Sequence, residues 1–418
     1  MAPHLPPGTV LLADPRAAAV PLRDRSEPLG VAPDVLAPGP ARPELHVDLE
    51  AVAANTRLLA GRATGALMAV VKADGFGHGA VEVARTALAH GATWLGVTAL
   101  SEAVALREAG LGGPVLSWLN PLGTDLRPAQ ELDVDVAVPS LAHLAAVAAL
   151  DGPRPVRVHL HLDTGLARDG EAPEEWAALC RAARVAELRG RVDVVGVMGH
   201  LPRADEPGHP TNGLGRARFA WGVRLARTTG LHPGHRHLAA TAATLCDPLA
   251  HHTLVRVGAG LVGIDPSGTT ALRPAMTLTA PVVSVRRVTA GTGVGYGHTW
   301  TAPRATMLGL LPLGYADGLP RSASGRAEMQ LRGRRHDVVG RISMDQLVVD
   351  LGPGSPVRPG EGATVVGPPA GGAPTAAEWA AWSGTLEHEV VTGLGAAPAR
   401  VRRTCSPVRA LSSTRSPA

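Results

Sequence analysis

From residue 45 onward, short apolar runs rich in β-branched residues alternate with stretches whose apolar positions recur every three to four residues. The runs are LMAVV (67–71), TWLGVTA (93–99), PVLSWL (114–119), VDVAV (134–138), VRVHLHL (156–162), DVVGVMG (193–199), RHLAA (236–240) and LVRVG (254–258). Between them, GAVEVARTALAHG brings Val83, Ala84, Ala87 and Leu88 onto one helical face. EEWAALCRAARV opens on acidic residues and carries Arg181 and Arg184 toward its end, as the helix dipole favours. Eight strands with interleaved helices predict a (β/α)8 TIM-type barrel, an α/β fold, over residues 45–275. The rival arrangement is an open doubly wound sheet, but no G-x-G-x-x-G follows the first strand.

After residue 275 the pattern changes to MTLTAPVVSVRRV, ATMLGLLPLG, HDVVGRISMDQLVVDL and ATVVG, separated by Gly/Pro turns. This predicts a C-terminal, mostly β domain over 276–405. The first 44 residues are proline-rich and aperiodic and read as a disordered extension, and residues 406–418 read as a frayed tail.

Composition narrows the partners. The formal charge of +4 is modest for 418 residues, and the arginines are scattered rather than grouped, so no nucleic-acid footprint is expected. Cys180, Cys246 and Cys405 are odd in number and widely spaced, which fits reduced thiols and gives no metal-ligand spacing. No stretch is apolar enough to span a membrane, and the N-terminus lacks a secretory pattern, so a cytoplasmic protein is expected.

Of the 40 basic residues, Lys72 is the single lysine, and it directly follows the first proposed strand. In a barrel of this type, side chains beyond the C-terminal strand ends share one cavity. There Lys72 joins the DTGLAR loop after the fifth strand, His200 after the sixth, Thr241 after the seventh and Arg256 within the eighth. An amine in a partly apolar pocket can lose its proton and condense with an aldehyde, or can activate a substrate carbonyl without any cofactor. The loops after the last two strands, with Thr241, Gly258 and Ala259, suit a phosphate group.

Nine segments in order resemble the alanine racemases, two-domain members of the barrel-type pyridoxal phosphate enzymes. They are AVVKADGFGHGA, HLDTGLARDG, GVMGHLPRADEPGHP, RHLAATAATL and VRVGAGLVGI in the first domain, and GVGYGHTW, LPLGYADGLPR, GRISMDQLVVD and GTLEHEV in the second. The resemblance implies that Lys72 binds pyridoxal 5'-phosphate and acts as one catalytic base. It implies that Tyr296 is the opposing base, supplied to the barrel of the partner subunit in a homodimer. It places His200, Thr241, Arg256, Gly258, Ala259 and His388 around the cofactor, with Arg256 facing the pyridine nitrogen. Arg168 and the backbone of Met344 are implied to hold the carboxylate of alanine, and Tyr315 to stand at the entrance. Racemisation needs an acid/base group on each face of a planar carbanion, which explains a pair such as Lys72 and Tyr296.

The sequence departs from the family at Phe76 and His388, where tyrosines contact the cofactor phosphate, at His161, where a carbamylated lysine is common, and at Ala240, where an asparagine stands. These departures motivate two further readings: a racemase, epimerase or decarboxylase of another amino acid, and a cofactor-binding homologue without turnover. Arg256 speaks against decarboxylation, which benefits from a protonated ring.

Overall fold

The computed structural model describes residues 39–396 and 400–408. Most of the expected extension, and residues 409–418 of the expected tail, lie outside the described residues. The first strand, β1 (Glu44–Val47), is followed by β2 (Ala66–Val70), β3 (Trp94–Val97), β4 (Val115–Ser117) and β5 (Val134–Val138). Next come β6 (Val156–His161), β7 (Val192–Met198), β8 (His235–His237) and β9 (Leu254–Val257). Strands β2 to β9 form one parallel eight-stranded sheet, with β2 paired to both β3 and β9. At the seam between β8 and β9, the Thr253 N–H donates to the Arg236 carbonyl at 3.1 Å and the Arg256 N–H to the Ala239 carbonyl at 3.0 Å. The sheet therefore curls into the expected barrel.

The strands are recognisable in sequence because a parallel barrel buries both strand faces, so β3, β4, β5 and β9 are buried at every position. β1 follows a different rule. Leu45 and Val47 are buried while His46 is exposed, the alternation of a sheet with one covered face. Accordingly β1 lies outside the barrel, pairing antiparallel with Met276–Pro281 and parallel with Arg402–Cys405. Both ends of the described chain thus meet in the second sheet, which has nine strands and carries the β-rich segments expected after residue 275.

The helix Ala80–Ala89 buries Val83, Ala84 and Ala87 as its periodicity requires, but Thr86 is buried in place of Leu88, which is only half-buried. The helix Trp176–Leu188 begins after Glu175, so its acidic pair precedes the first turn. Two helices, Ala376–Ser383 and Glu387–Gly395, interrupt the second domain. The first is announced by a capping box: the Thr375 hydroxyl accepts from the Glu378 N–H at 3.1 Å and the Glu378 carboxylate accepts from the Thr375 N–H at 2.7 Å. The second packs against the turn that follows β2 and carries His388 to the barrel mouth.

Candidate active site

Lys72 follows β2 and opens an unusual turn. Ala73, Asp74, Gly75 and Phe76 all have positive φ, between 51° and 62°, a single left-handed helical turn. For the three non-glycine residues this conformation is sterically costly and is held by its surroundings. The Glu102 carboxylate accepts from the Ala73 N–H at 2.8 Å, the Asp74 carboxylate accepts from the Ala80 N–H at 2.8 Å, and Arg403 of the second domain pairs with Asp74 at 2.6 Å.

Glu102 also accepts from Thr98 N–H, Thr98 Oγ1 and Ala99 N–H at 2.8–3.1 Å. Partial burial disfavours its charge, but the hydrogen bonds from Ala99, Thr98 and Ala73 outweigh this and hold its carboxyl below the ordinary value. Stability from a lowered carboxyl pKa is present above the unfolded value and lost as the pH falls through the folded one. Glu102→Ala is expected to cost about 1–2 kcal/mol near neutrality, discounted because the group is half in solvent. Thermal unfolding compared at pH 7 and in acid tests this: the gap between wild type and variant should shrink on acidification.

Burial lowers the Lys72 pKa, and Arg168 and Arg256 lower it further, against the opposing pull of Glu102. The amine is thus biased toward the neutral, nucleophilic form. Arg168 itself is exposed on the loop that Asp163 organises by accepting from the N–H groups of Gly165, Leu166 and Ala167 at 2.8–3.1 Å. His161 is buried with its Nδ1 3.4 Å from the Asp169 carboxylate, an orientation too poor for a hydrogen bond.

Arg256 is buried at the floor of the site. Its Nη1 donates to the His237 carbonyl at 2.9 Å and to His237 Nδ1 at 3.0 Å, and its Nη2 donates to the Gly199 carbonyl at 2.7 Å and to His200 Nδ1 at 3.2 Å. Burial first, and Arg168 second, lower its pKa to about 10, so it remains cationic at neutral pH. His200 is fixed through its backbone: its carbonyl accepts from Thr164 Oγ1 at 2.6 Å, and its N–H donates back to that hydroxyl at 3.1 Å. Burial and the Arg256 charge push its pKa down to about 3, so this ring is neutral and Nδ1 accepts.

The loops after β8 and β9 each begin a short helix, Thr241–Cys246 and Ala259–Val262, whose first N–H groups have no acceptor within the helix. Thr241 Oγ1 accepts from the Gly260 N–H at 3.3 Å and ties the two together. Gly258 is required by close approach, since a Cβ there would lie 2.6 Å from Phe76 Cε2. The Phe76 ring is tilted against His388, centroids 6.1 Å apart, and His388 is lowered in pKa by burial and by Lys72.

The barrel mouth therefore brings together Lys72, Arg168, His200, Thr241, Arg256, Gly258, Ala259 and His388. Tyr296, Tyr315 and Met344 form a second group on the β domain. They are 72%, 42% and 57% exposed, and the Met344 and Tyr315 segments are joined by the Ala316 N–H donating to the Met344 carbonyl at 2.8 Å. Among the described residues, no hydrogen bond or ring contact joins this group to the Lys72 pocket of the same chain. Sequence reasoning passed over Glu102, Asp135, His159 and His237. The signal for His159 was available: in VRVHLHL, Arg157, His159 and His161 alternate with apolar residues and so share one strand face.

The alanine racemase N-terminal domain family matches residues 47–266 and the C-terminal domain family residues 275–404. The alanine racemase of Salinispora tropica is 46% identical over 356 residues, covering 84% of this chain and 95% of the relative. That of Mycolicibacterium smegmatis is 47% identical over 368 residues, covering 86% and 94%. The crystal structure of alanine racemase from Streptomyces lavendulae, a D-cycloserine producer, superposes with a TM-score of 0.84 at 43% identity, covering 88% of this chain and 98% of that one. With both domain families matched in order across most of its length, the chain belongs to the alanine racemase family.

Proposed function

We propose that the protein interconverts L-alanine and D-alanine in the cytoplasm, with pyridoxal 5'-phosphate bound through Lys72 and with Lys72 and Tyr296 as the two bases. The observation that carries this reading is a partly buried lysine at the end of the first barrel strand, its pKa lowered by burial and by Arg168 and Arg256, in a mouth where Arg256 is anchored by His237 and His200. The residues fit the cofactor. Lys72 offers a nucleophilic amine, and the first turns after β8 and β9 offer N–H groups and the Thr241 hydroxyl to a phosphate. Gly258 and the Phe76 ring shape the wall beside them. Bound there, pyridoxal phosphate would supply the electron sink that makes the α C–H of an amino acid acidic.

The chain's own residues do the rest. Both Nη groups of Arg256 are engaged by protein acceptors, which leaves Nε as the donor for the ring nitrogen. Because a guanidinium does not yield its proton, Arg256 would leave a bound pyridine ring unprotonated and a weaker sink, which would favour inversion over side reactions. Lys72 holds or returns the α-proton on one face. Tyr296 of the partner subunit does so on the other, and its exposure in a single chain, beside Tyr315 and Met344, supports a homodimer with shared sites. Arg168, with the Met344 N–H of the partner subunit, holds the substrate carboxylate, and Tyr315 lines the entrance. Incubation of the holoenzyme with L-alanine followed by chiral chromatography tests the reading; cofactor-loaded protein that forms no D-alanine would reject it.

Phe76 replaces a hydroxyl with a ring edge in this pocket. Phe76→Tyr is expected to tighten cofactor binding about 2- to 10-fold, the value of one net hydrogen bond, measured by equilibrium titration of the apoprotein. Unchanged affinity would mean that His388 already satisfies that phosphate oxygen.

A further inference from the structure

Beneath Arg256, inside the barrel, polar side chains from five positions make one continuous line. Arg256 Nη1 meets His237 Nδ1 at 3.0 Å, His237 Nε2 meets His159 Nδ1 at 2.8 Å, and His159 Nε2 meets the Asp135 carboxylate at 3.0 Å. Arg157 closes the far end, its Nε 2.9 Å and its Nη2 3.3 Å from the two oxygens of the same carboxylate. Both histidines are fully buried, and Asp135 is 2% exposed. The barrel has been shaped around this line. A Cβ at position 196 would run into the His159 ring, so β7 carries glycine there. Trp94 meets His159 edge-on with centroids 5.7 Å apart, and His235 stacks parallel to it at 6.0 Å. The other charged or titratable groups facing the line include His161, toward His237, Arg168, toward Arg256, Arg107, toward Asp135, and Asp133 and Asp193, toward Arg157, which opens onto a groove at the opposite barrel mouth.

The two ends dictate where every proton sits. Arg256 can only donate and the Asp135 carboxylate can only accept, so the one arrangement that satisfies every contact has His237 Nδ1 accepting and its ring proton on Nε2. That N–H donates to His159 Nδ1, which places the His159 proton on Nε2, and the Asp135 carboxylate accepts it. All the ring N–H groups point the same way, from Arg256 toward Asp135. A reversed line would set a His237 N–H against an Arg256 N–H.

We infer that Asp135 and His159 are positioning residues for Arg256: the carboxylate at the far end sets the tautomer of both imidazoles and so presents Arg256 with an acceptor instead of a competing donor. Through Arg256 the line rests on the proposed function for its catalytic meaning, but its proton arrangement stands independently. Asp135→Asn is the discriminating change. Arg157 still claims the side-chain oxygen at position 135, so the amide nitrogen of the replacement is turned toward His159 and donates where a carboxylate accepted. Both ends of the line are then donors and one contact must fail; Arg256 Nη1 still has the His237 carbonyl as an acceptor, so the contact given up is the one to His237 Nδ1, and the protons of His159 and His237 both move to Nδ1.

The test is NMR of the holoenzyme labelled with 15N-histidine, with the two rings assigned from the spectra of His159→Gln and His237→Gln. In the wild type both rings are expected as the Nε2–H tautomer. In Asp135→Asn both are expected as Nδ1–H, with kcat for alanine inversion reduced about 10-fold or more and KM little altered, the scale seen when an outer-shell orienting group is removed. Arg157→Gln, which keeps the carboxylate, should leave the tautomers unchanged. A wild-type ring carrying its proton on Nδ1, or an Asp135→Asn spectrum with unchanged tautomers, would overturn the inference, and the wild-type spectrum decides the matter even where the variant does not fold. Wild-type holoenzyme that fails to invert alanine would instead strike the proposed function and leave the tautomers untouched.

Discussion

Lys72→Ala is expected to abolish alanine inversion and to leave the protein without any covalently attached cofactor. The loss is total because in the proposed function the side chain serves twice, its amine as the attachment point and as one of the two bases. The chain contains no second lysine to substitute for it. Borohydride reduction of the cofactor-loaded wild type followed by peptide mass spectrometry should place the label on Lys72, and the variant should take none. Fold and stability should change little, since among the described residues the Lys72 amine makes no ion pair or hydrogen bond that holds the fold. Label retained by the variant, on the N-terminal amine or elsewhere, would mean that Lys72 is not the attachment site.

Tyr296→Phe carries the second largest expected effect, a fall in kcat of about 10²- to 10⁴-fold, the usual worth of a positioned acid/base group. Its signature is asymmetry. With Lys72 still present, the variant should exchange the α-proton of one alanine enantiomer with solvent deuterium while failing to invert it. The other enantiomer, whose α-proton faces the missing hydroxyl, should exchange far more slowly. The proposed function assigns the two bases of one site to different subunits, in keeping with a Tyr296 that is 72% exposed in a single chain. Mixed dimers of Lys72→Ala and Tyr296→Phe then contain one site with both bases and one with neither. Co-expression should recover roughly a quarter of wild-type activity from two variants that are inactive alone, as random pairing of subunits dictates. Absence of recovery, with mixed dimers demonstrated, would put both bases in one chain and refute the shared site.

The phosphate side of the pocket follows a related logic. Phe76 lies in the left-handed turn, its ring edge against Gly258 and its face tilted toward His388 on a helix of the second domain. Two positions where the family has tyrosines are thus neighbours in space, and their replacements pack on one another. Changing Phe76 alone tests one hydroxyl in an environment already adjusted to a ring without one.

What the sequence determined by itself follows from local physics. Parallel strands buried on both faces favour apolar runs, so most barrel strands could be read directly; β6 and the polar β8, His235–His237, were placed by the apolar residues beside their polar ones, and the strand ends pointed to Lys72, His200, Thr241 and Arg256. The resemblance to the family implied partners for these residues in both domains, each of which its family matches. Tertiary structure decided what depends on contacts distant in sequence. β1 joins the second sheet because its pairing partners lie more than 200 residues away. Residues 73–76 take a left-handed turn because Glu102, the Ala80 N–H and Arg403 hold it, not because Ala, Asp and Phe prefer it. The helix bearing His388 is placed over Phe76 by packing between domains. Above all, Asp135, His159 and His237 lie on three different strands, and the closing of the barrel turns them into a single line ending on Arg256, since only closure brings β5, β6, β8 and β9 around one axis.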